Sequence, residues 1–106
     1  MIKVTGKTMK SEIANAIQKY NGAIVYSYGD DIPPGTDGYH VYRCVPVEEF
    51  CDFVIQDLKE KTKDSSLSMV VIYTNESDKE NIKILEKCCT ECECNGYVGT
   101  AVLMTK

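Results

Sequence analysis

Several residues and patterns on which common functions depend are missing from this sequence. Tryptophan is absent, and His40 is the only histidine among 106 residues. A single histidine in a strand-like segment is typical of a surface or hydrogen-bonded residue, so we assign it no role as base or ligand. The chain also lacks a glycine-rich cofactor loop, because "GKT" at 6–8 has methionine at position 1, where a phosphate-binding P-loop needs glycine. We therefore predict no catalytic residue and no cofactor, and a binding protein rather than an enzyme.

Long apolar runs are missing as well. No stretch approaches the roughly 20 apolar residues that a membrane-spanning helix needs. The opening "MIKVTGKTMK" contains no apolar signal-peptide region. These absences predict a cytoplasmic protein without a membrane partner. Because the cytoplasm keeps thiols reduced, we expect the six cysteines to be free rather than paired.

An excess of basic charge is the third absence. The sequence has 12 Lys and Arg residues against 16 Asp and Glu residues, for a net charge of −4. Broad nucleic-acid binding needs a basic surface that displaces counterions from the phosphates, so we do not expect it here. The acidic balance instead allows a basic partner and leaves the oligomeric state open.

What is present is the composition of an ordinary globular domain. Apolar residues make up 43% of the sequence and charged residues 26%. The length of 106 residues is enough for one domain, 1–106, with its own core. Runs of β-forming residues predict five strands, and apolar residues at helical spacing predict three helices. The strands are expected at 2–5, 23–28, 39–45, 67–74 and 97–105, and the helices at 9–20, from 46 to the segment 60–66, and at 79–94.

The predicted order β-α-β-β-α-β-α-β favours an α/β fold, a mixed or mostly parallel five-stranded sheet with three helices. An α+β alternative stays open, because the first six elements also fit a split β-α-β arrangement with an added α-β unit. The strands at 23–28, 67–74 and 97–105 are apolar on both faces and are expected inside the sheet. The strands at 2–5 and 39–45 carry polar residues and are expected at its edges.

Four of the six cysteines crowd into the segment "CCTECEC". At about 100° per residue in a helix, Cys88, Cys89 and Cys92 share one apolar face, whereas Cys94 points to the other side. A tetrahedral metal site needs ligands that converge on one point, so an unbroken helix predicts core thiols and no metal. If the helix breaks at Cys92, all four could be metal ligands instead. Cys51, on the apolar face of the second helix, is also expected in the core.

The loops that follow the strands form a candidate ligand site. If the strands are parallel, their carboxyl ends converge at one edge of the sheet, where such folds bind ligands. Lysines and hydroxyl groups at the start of the first predicted helix would suit an anion. The residues of this candidate site are Lys7, Thr8, Tyr28, Asp30, Asp31, Asn75 and Ser77.

The leading functional interpretation is a small interaction module that binds a macromolecular partner, most simply a protein. Tyrosines surround the loop "GDDIPPGTDG", and Tyr28 and Tyr39 are the candidate contacts with that partner. The first alternative is a protein that binds, or an enzyme that acts on, a small anionic ligand at the strand-end loops. The second alternative is the cysteine-based metal protein.

Overall fold

The computed structural model describes residues 1–5, 23–28, 40–44, 47–63, 67–74 and 78–105. The described residues form five strands and two helices. The strands are β1 (Ile2–Thr5), β2 (Ala23–Tyr28), β3 (His40–Cys44), β4 (Leu67–Thr74) and β5 (Val98–Thr105), and the helices are α1 (Val47–Lys61) and α2 (Lys79–Cys94). The helix predicted at 9–20 lies outside the described residues.

The five strands form one sheet in the order β1-β5-β4-β2-β3. All four pairs of neighbouring strands are parallel. The prediction of an α/β fold is therefore confirmed. The mixed-sheet and α+β alternatives are wrong for the described strands, because a split β-α-β sheet places antiparallel strands side by side.

The predicted division into edge and interior strands is also confirmed, with β1 and β3 at the edges. β4 lies in the centre of the sheet, and its residues from Met69 to Thr74 are all buried. A strand with a neighbour on each side and cover on both faces can use apolar residues at every position, which explains the run "MVVIY". β1, at the edge of the sheet, is mostly exposed, and only Val4 of its four residues is buried.

Helices α1 and α2 pack side by side against one face of the sheet. Phe50, Val54 and Leu58 of α1 are fully buried, and they join one cluster with Leu85 of α2. The sheet residues of this cluster are Ile24, Tyr26, Val70, Ile72, Val98, Ala101 and Leu103. Residues on the opposite face are buried too, because successive side chains of an interior strand alternate between two covered faces. These residues include Val25, Met69, Val71, Val102 and Met104.

Both ends of α2 are fixed by local hydrogen bonds. The Asp78 carboxylate accepts from the backbone N–H groups of Glu80, at 2.8 Å, and Asn81, at 3.4 Å, as an N-cap does. At the other end Gly96 takes a positive φ of 73°. The N–H of Tyr97 donates to the carbonyl of Cys92, which completes a Schellman-type stop. The predicted bounds of this helix, 79–94, and its stop at "NG" are therefore confirmed.

Candidate functional site

The parallel strands end together at one edge of the sheet, which we call the carboxyl edge. The last residues of the strands occupy matching register positions, so that each is paired with the next across the sheet. In sheet order this row is Thr5, Thr105, Thr74, Tyr28 and Cys44. Four of these five residues carry a hydroxyl group, a property that strand-by-strand reading of the sequence did not reveal.

The centre of the carboxyl edge is a topological switch point between β2 and β4. From β2 the chain continues to β3, its neighbour on one side, and from β4 it continues to β5, on the other side. In open α/β sheets the loops diverge at such a point, and the crevice between them is the usual ligand site. The strand order thus singles out the carboxyl ends of β2 and β4, at Tyr28 and Thr74.

Of the residues predicted for the ligand and partner sites, Tyr28 is the one that the described part of the chain includes. Its side chain is half-buried, and its ring meets Phe50 of α1 edge to face, with 6.0 Å between ring centroids. Tyr28 therefore contributes to packing between β2 and α1 as well as to the carboxyl edge. The remaining predicted residues lie outside the described residues: Lys7, Thr8, Asp30, Asp31, Tyr39, Asn75 and Ser77.

The predicted ligand residues follow strands that are not all neighbours in the sheet. In the sequence, Asp30 and Asp31 follow β2, and Asn75 and Ser77 follow β4, which is the neighbour of β2. Lys7 follows β1, however, and β5 and β4 stand between β1 and β2. Three strand spacings correspond to about 14 Å. A ligand that contacts the carboxyl ends of both β1 and β2 would span this distance.

A small cavity of about 170 Å³ opens where β1 and β5 meet α2. Lys3 on its wall forms a 2.6 Å ion pair with Glu86. The other residues that line it are Thr5, Ile82, Leu103 and Thr105. Its volume is below the roughly 300 Å³ of the smallest usual ligand pockets, and its two charged groups neutralise each other. Sequence reasoning missed this cavity because Lys3 and Glu86 are 83 positions apart and only the sheet brings them together.

The arrangement predicted for the cysteines of α2 is confirmed. The helix is unbroken through Cys94; Cys88, Cys89 and Cys92 are buried in the core cluster, and Cys94 is exposed. Burial raises the pKa of the Cys89 thiol far above its ordinary range. Within the described residues, no group of three or more His, Cys, Asp or Glu side chains is placed to hold a metal ion.

Cys51 of α1 departs from its predicted place in the core. It is half-buried at the rim of the core cluster, and its thiol donates to the backbone carbonyl of Ile84 at 3.7 Å. Cys51 and Cys88 line one cleft of about 260 Å³ between α1 and α2, here called the helix cleft. The rest of its lining is Asp52, Ile84, Lys87 and Glu91.

The pKa values of the two thiols of the helix cleft are shifted in opposite directions. The Cys88 thiol donates a hydrogen bond that lowers the pKa of Cys51, although burial and the charges of Glu91 and Asp52 oppose this. The hydrogen bonds of Cys88 with Cys51 and Cys92, together with its burial, raise the pKa of Cys88. A more acidic, partly accessible thiol therefore lies against a buried one. In the sequence, the charged residue Asp52 next to Cys51 indicates that Cys51 lies at the border of the apolar face of α1.

Comparisons with protein-family models, with curated proteins and with solved structures found no match. The class of protein is thus defined by its own geometry, as a small α/β protein with a parallel sheet and helices packed on it. Neither of the two described helices combines the length and the hydropathy that crossing a membrane requires.

Proposed function

We propose that this protein binds a small anionic ligand along the carboxyl edge of its sheet. The observation that carries the proposal is the sheet topology. Parallel pairing puts the carboxyl ends of the five described strands on one edge, and the strand order puts a switch point between β2 and β4. Crevices of this kind bind ligands in many unrelated α/β proteins, so the location of the proposed ligand site follows from the sheet topology and does not depend on homology.

The chemistry of the ligand follows from what each strand end offers. Thr5, Thr105 and Tyr28 of the described row carry hydroxyl groups on side chains that are at least partly exposed, whereas Thr74 is buried. The sequence continues from β1 into Lys7 and Thr8. Lysine and hydroxyl side chains suit phosphate oxygens, whereas Asn75 and Ser77 after β4 suit hydroxyl or amide groups. With about 14 Å between the ends of β1 and β2, an extended phosphorylated metabolite such as a nucleotide has the matching length.

The start of α2 is not part of the proposed anion site. The Asp78 carboxylate already accepts from the N–H groups of Glu80 and Asn81, and its negative charge repels a second anion there. The anionic end of the ligand is therefore assigned to the β1 side of the carboxyl edge, away from Asp78.

Thermal shift with a panel of nucleotides and phosphorylated metabolites tests this function. A ligand at one hundred times its Kd stabilises the folded state by about 2.7 kcal/mol, which raises the Tm of a domain of this size by about 10 °C. Lys7→Ala should abolish the shift, and Lys3→Ala, which removes the lysine paired with Glu86, is the matched control that should retain it. No shift with any compound, or a shift that Lys7→Ala leaves intact, would contradict the proposal.

A second candidate function is the binding of a protein partner, as an interaction module in the cytoplasm. Two large apolar side chains of the helices are exposed among the described residues, Phe53 at 39% and Ile84 at 39%. Exposed aromatic and aliphatic side chains can anchor a partner, and the net charge of −4 favours a basic one. Tyr28 is a weaker anchor than the sequence suggested, because it packs against Phe50.

Capture of partners by the tagged protein from its own cells tests this second candidate. We expect Phe53→Ser or Ile84→Ser to remove a captured protein without lowering the Tm by more than a few degrees. Tyr28→Ala is expected to lower the Tm, and Tyr39→Ala tests the tyrosine contact predicted from the sequence. Capture that is unchanged in all four variants would contradict the module hypothesis.

A further inference from the structure

The helix cleft contains a pair of thiols for which neither proposed function has a use. Cys51 comes from α1 and Cys88 from α2. Both line the helix cleft, and the Cys51 thiol lies 3.7 Å from the backbone carbonyl of Ile84, one helical turn before Cys88. Cys51 and Cys88 are 37 positions apart in the sequence, so they share the cleft only because the two helices pack together. The pair is therefore a product of the fold rather than of local sequence.

Of the two thiols, only that of Cys51 is accessible to solvent. Cys51 is half-buried and faces the helix cleft, whereas Cys88 is only 1% exposed and lies behind it. The cleft volume of about 260 Å³ exceeds the roughly 30 Å³ that one water molecule occupies in the liquid, so a molecule of the size of a peroxide can enter. Cys89 and Cys92 are fully buried and do not line the cleft.

The charges around Cys51 are mixed. Lys87 on the cleft wall stabilises a thiolate at Cys51, and Glu91 and Asp52 destabilise it. The hydrogen bond from Cys88 is the largest influence and favours the thiolate. A thiolate is the nucleophilic form of cysteine and the form that peroxides oxidise.

We propose that Cys51 and Cys88 are a redox-active pair, in which a hydroperoxide oxidises Cys51 and Cys88 then closes a disulfide that joins α1 to α2. In the first step the Cys51 thiolate attacks the peroxide, forms an S–O bond and breaks the O–O bond. The products are a sulfenic acid on Cys51 and an alkoxide or hydroxide, which takes up the proton lost by Cys51.

In the second step the Cys88 sulfur attacks the sulfur of the Cys51 sulfenic acid. The S–S bond forms, the S–O bond breaks, and the hydroxide leaves as water with the proton of Cys88. Two thiols and one hydroperoxide thus give one disulfide, one alcohol or water from the peroxide, and one further water.

Oxidation of the full chain with hydrogen peroxide, followed by non-reducing proteolysis and mass spectrometry, tests the pair. We expect one intramolecular crosslink, between Cys51 and Cys88, that dithiothreitol reverses. Cys94→Ser is the matched control, since Cys94 is an exposed thiol on the same helix and its loss should leave the crosslink unchanged. Cys51→Ser should abolish the crosslink and leave Cys88 reduced.

Cys88→Ser separates the two steps of the reaction. Without the second thiol, Cys51 should accumulate as a sulfenic acid that dimedone traps, whereas in the wild type dimedone labelling should be brief. The wild-type crosslink map decides the question even if Cys88→Ser fails to fold. A crosslink between Cys88 and Cys92, disulfide-linked dimers through Cys94 with Cys51 still reduced, or stable sulfenic acid on Cys51 in the wild type would each overturn the proposal.

Discussion

Cys89 and Cys51 lie in the same helical layer, yet the structure gives them different chemistry. Cys89 faces the sheet, is 0% exposed, and has its thiol pKa raised by burial. Cys51 faces the helix cleft, is half-buried, and has its thiol pKa lowered by the hydrogen bond from Cys88. The two residues show that the interior and the cleft differ in solvation and in neighbours, and that these differences shift the pKa of a cysteine in opposite directions.

The contrast between interior and surface is largest for the two phenylalanines of α1. Phe50 is fully buried, and Phe53, three positions later, is 39% exposed. Phe50→Ala should lower the free energy of unfolding by about 3–5 kcal/mol, because it removes a large buried side chain and leaves a cavity. Phe53→Ala should cost only about 1 kcal/mol, mainly its edge-to-face contact with Tyr26. Urea denaturation measures both, and equal losses would remove the distinction.

The buried thiols predict a loss of stability in mild alkali. The folded-state pKa values of Cys88 and Cys89 are raised, so their contribution to stability is complete below the pKa of the unfolded thiols and is lost as the pH rises above it. Between pH 8 and 10, the free energy of unfolding should fall by up to about 1.4 kcal/mol per pH unit for each buried thiol.

Cys89→Ala sharpens this pH test. The variant removes one of the two buried thiols whose pKa is raised, so the loss of stability between pH 8 and 10 should be smaller than in the wild type. Cys94→Ala, at the exposed position of the same helix, is the control and should leave the pH dependence unchanged. Identical pH profiles for Cys89→Ala and the wild type would show that burial of Cys89 is not responsible.

A smaller effect is expected at the start of α2, the helix that carries the interior cysteines. Asp78→Ala removes the side chain that accepts from Glu80 and Asn81, and should cost about 1 kcal/mol. Asp78→Asn keeps an N-cap side chain and should cost much less. Thermal denaturation compares the two, and equal losses would mean that the charge of Asp78 matters more than its cap.

The smallest effect is expected for the ion pair between Lys3 and Glu86, which lies at the surface of the cavity beside β1. Lys3 is 56% exposed, so water screens the pair. Lys3→Ala should change the free energy of unfolding by no more than about 1 kcal/mol, with less effect at high salt. A larger loss in urea denaturation would show that β1 depends on this contact more than on its pairing with β5.

Much of the fold could be predicted because the relevant information is local. The face shared by Cys88, Cys89 and Cys92 follows from the turn of a helix, and the caps at Asp78 and Gly96 follow from residue type. The interior position of β4 follows from its apolar residues on both faces. None of these features needs knowledge of another segment.

The sites could be predicted only in part because they depend on contacts between distant segments. The sequence indicated a carboxyl edge but not the order of the strands, which separates the end of β1 from the end of β2. It placed Cys51 on an apolar face but could not show that this face ends at a cleft shared with Cys88. Such features are decided by tertiary packing, which the periodicity of one segment does not contain.

Native-state alkylation followed by mass spectrometry tests the difference between the interior and the helix cleft most directly. With a short pulse of iodoacetamide at neutral pH, Cys94 and Cys51 should be labelled, whereas Cys88, Cys89 and Cys92 should stay protected until urea unfolds the chain. Labelling of Cys89 and Cys92 as fast as that of Cys94 would contradict the buried thiol face of α2, and complete protection of Cys51 would contradict the accessible cleft.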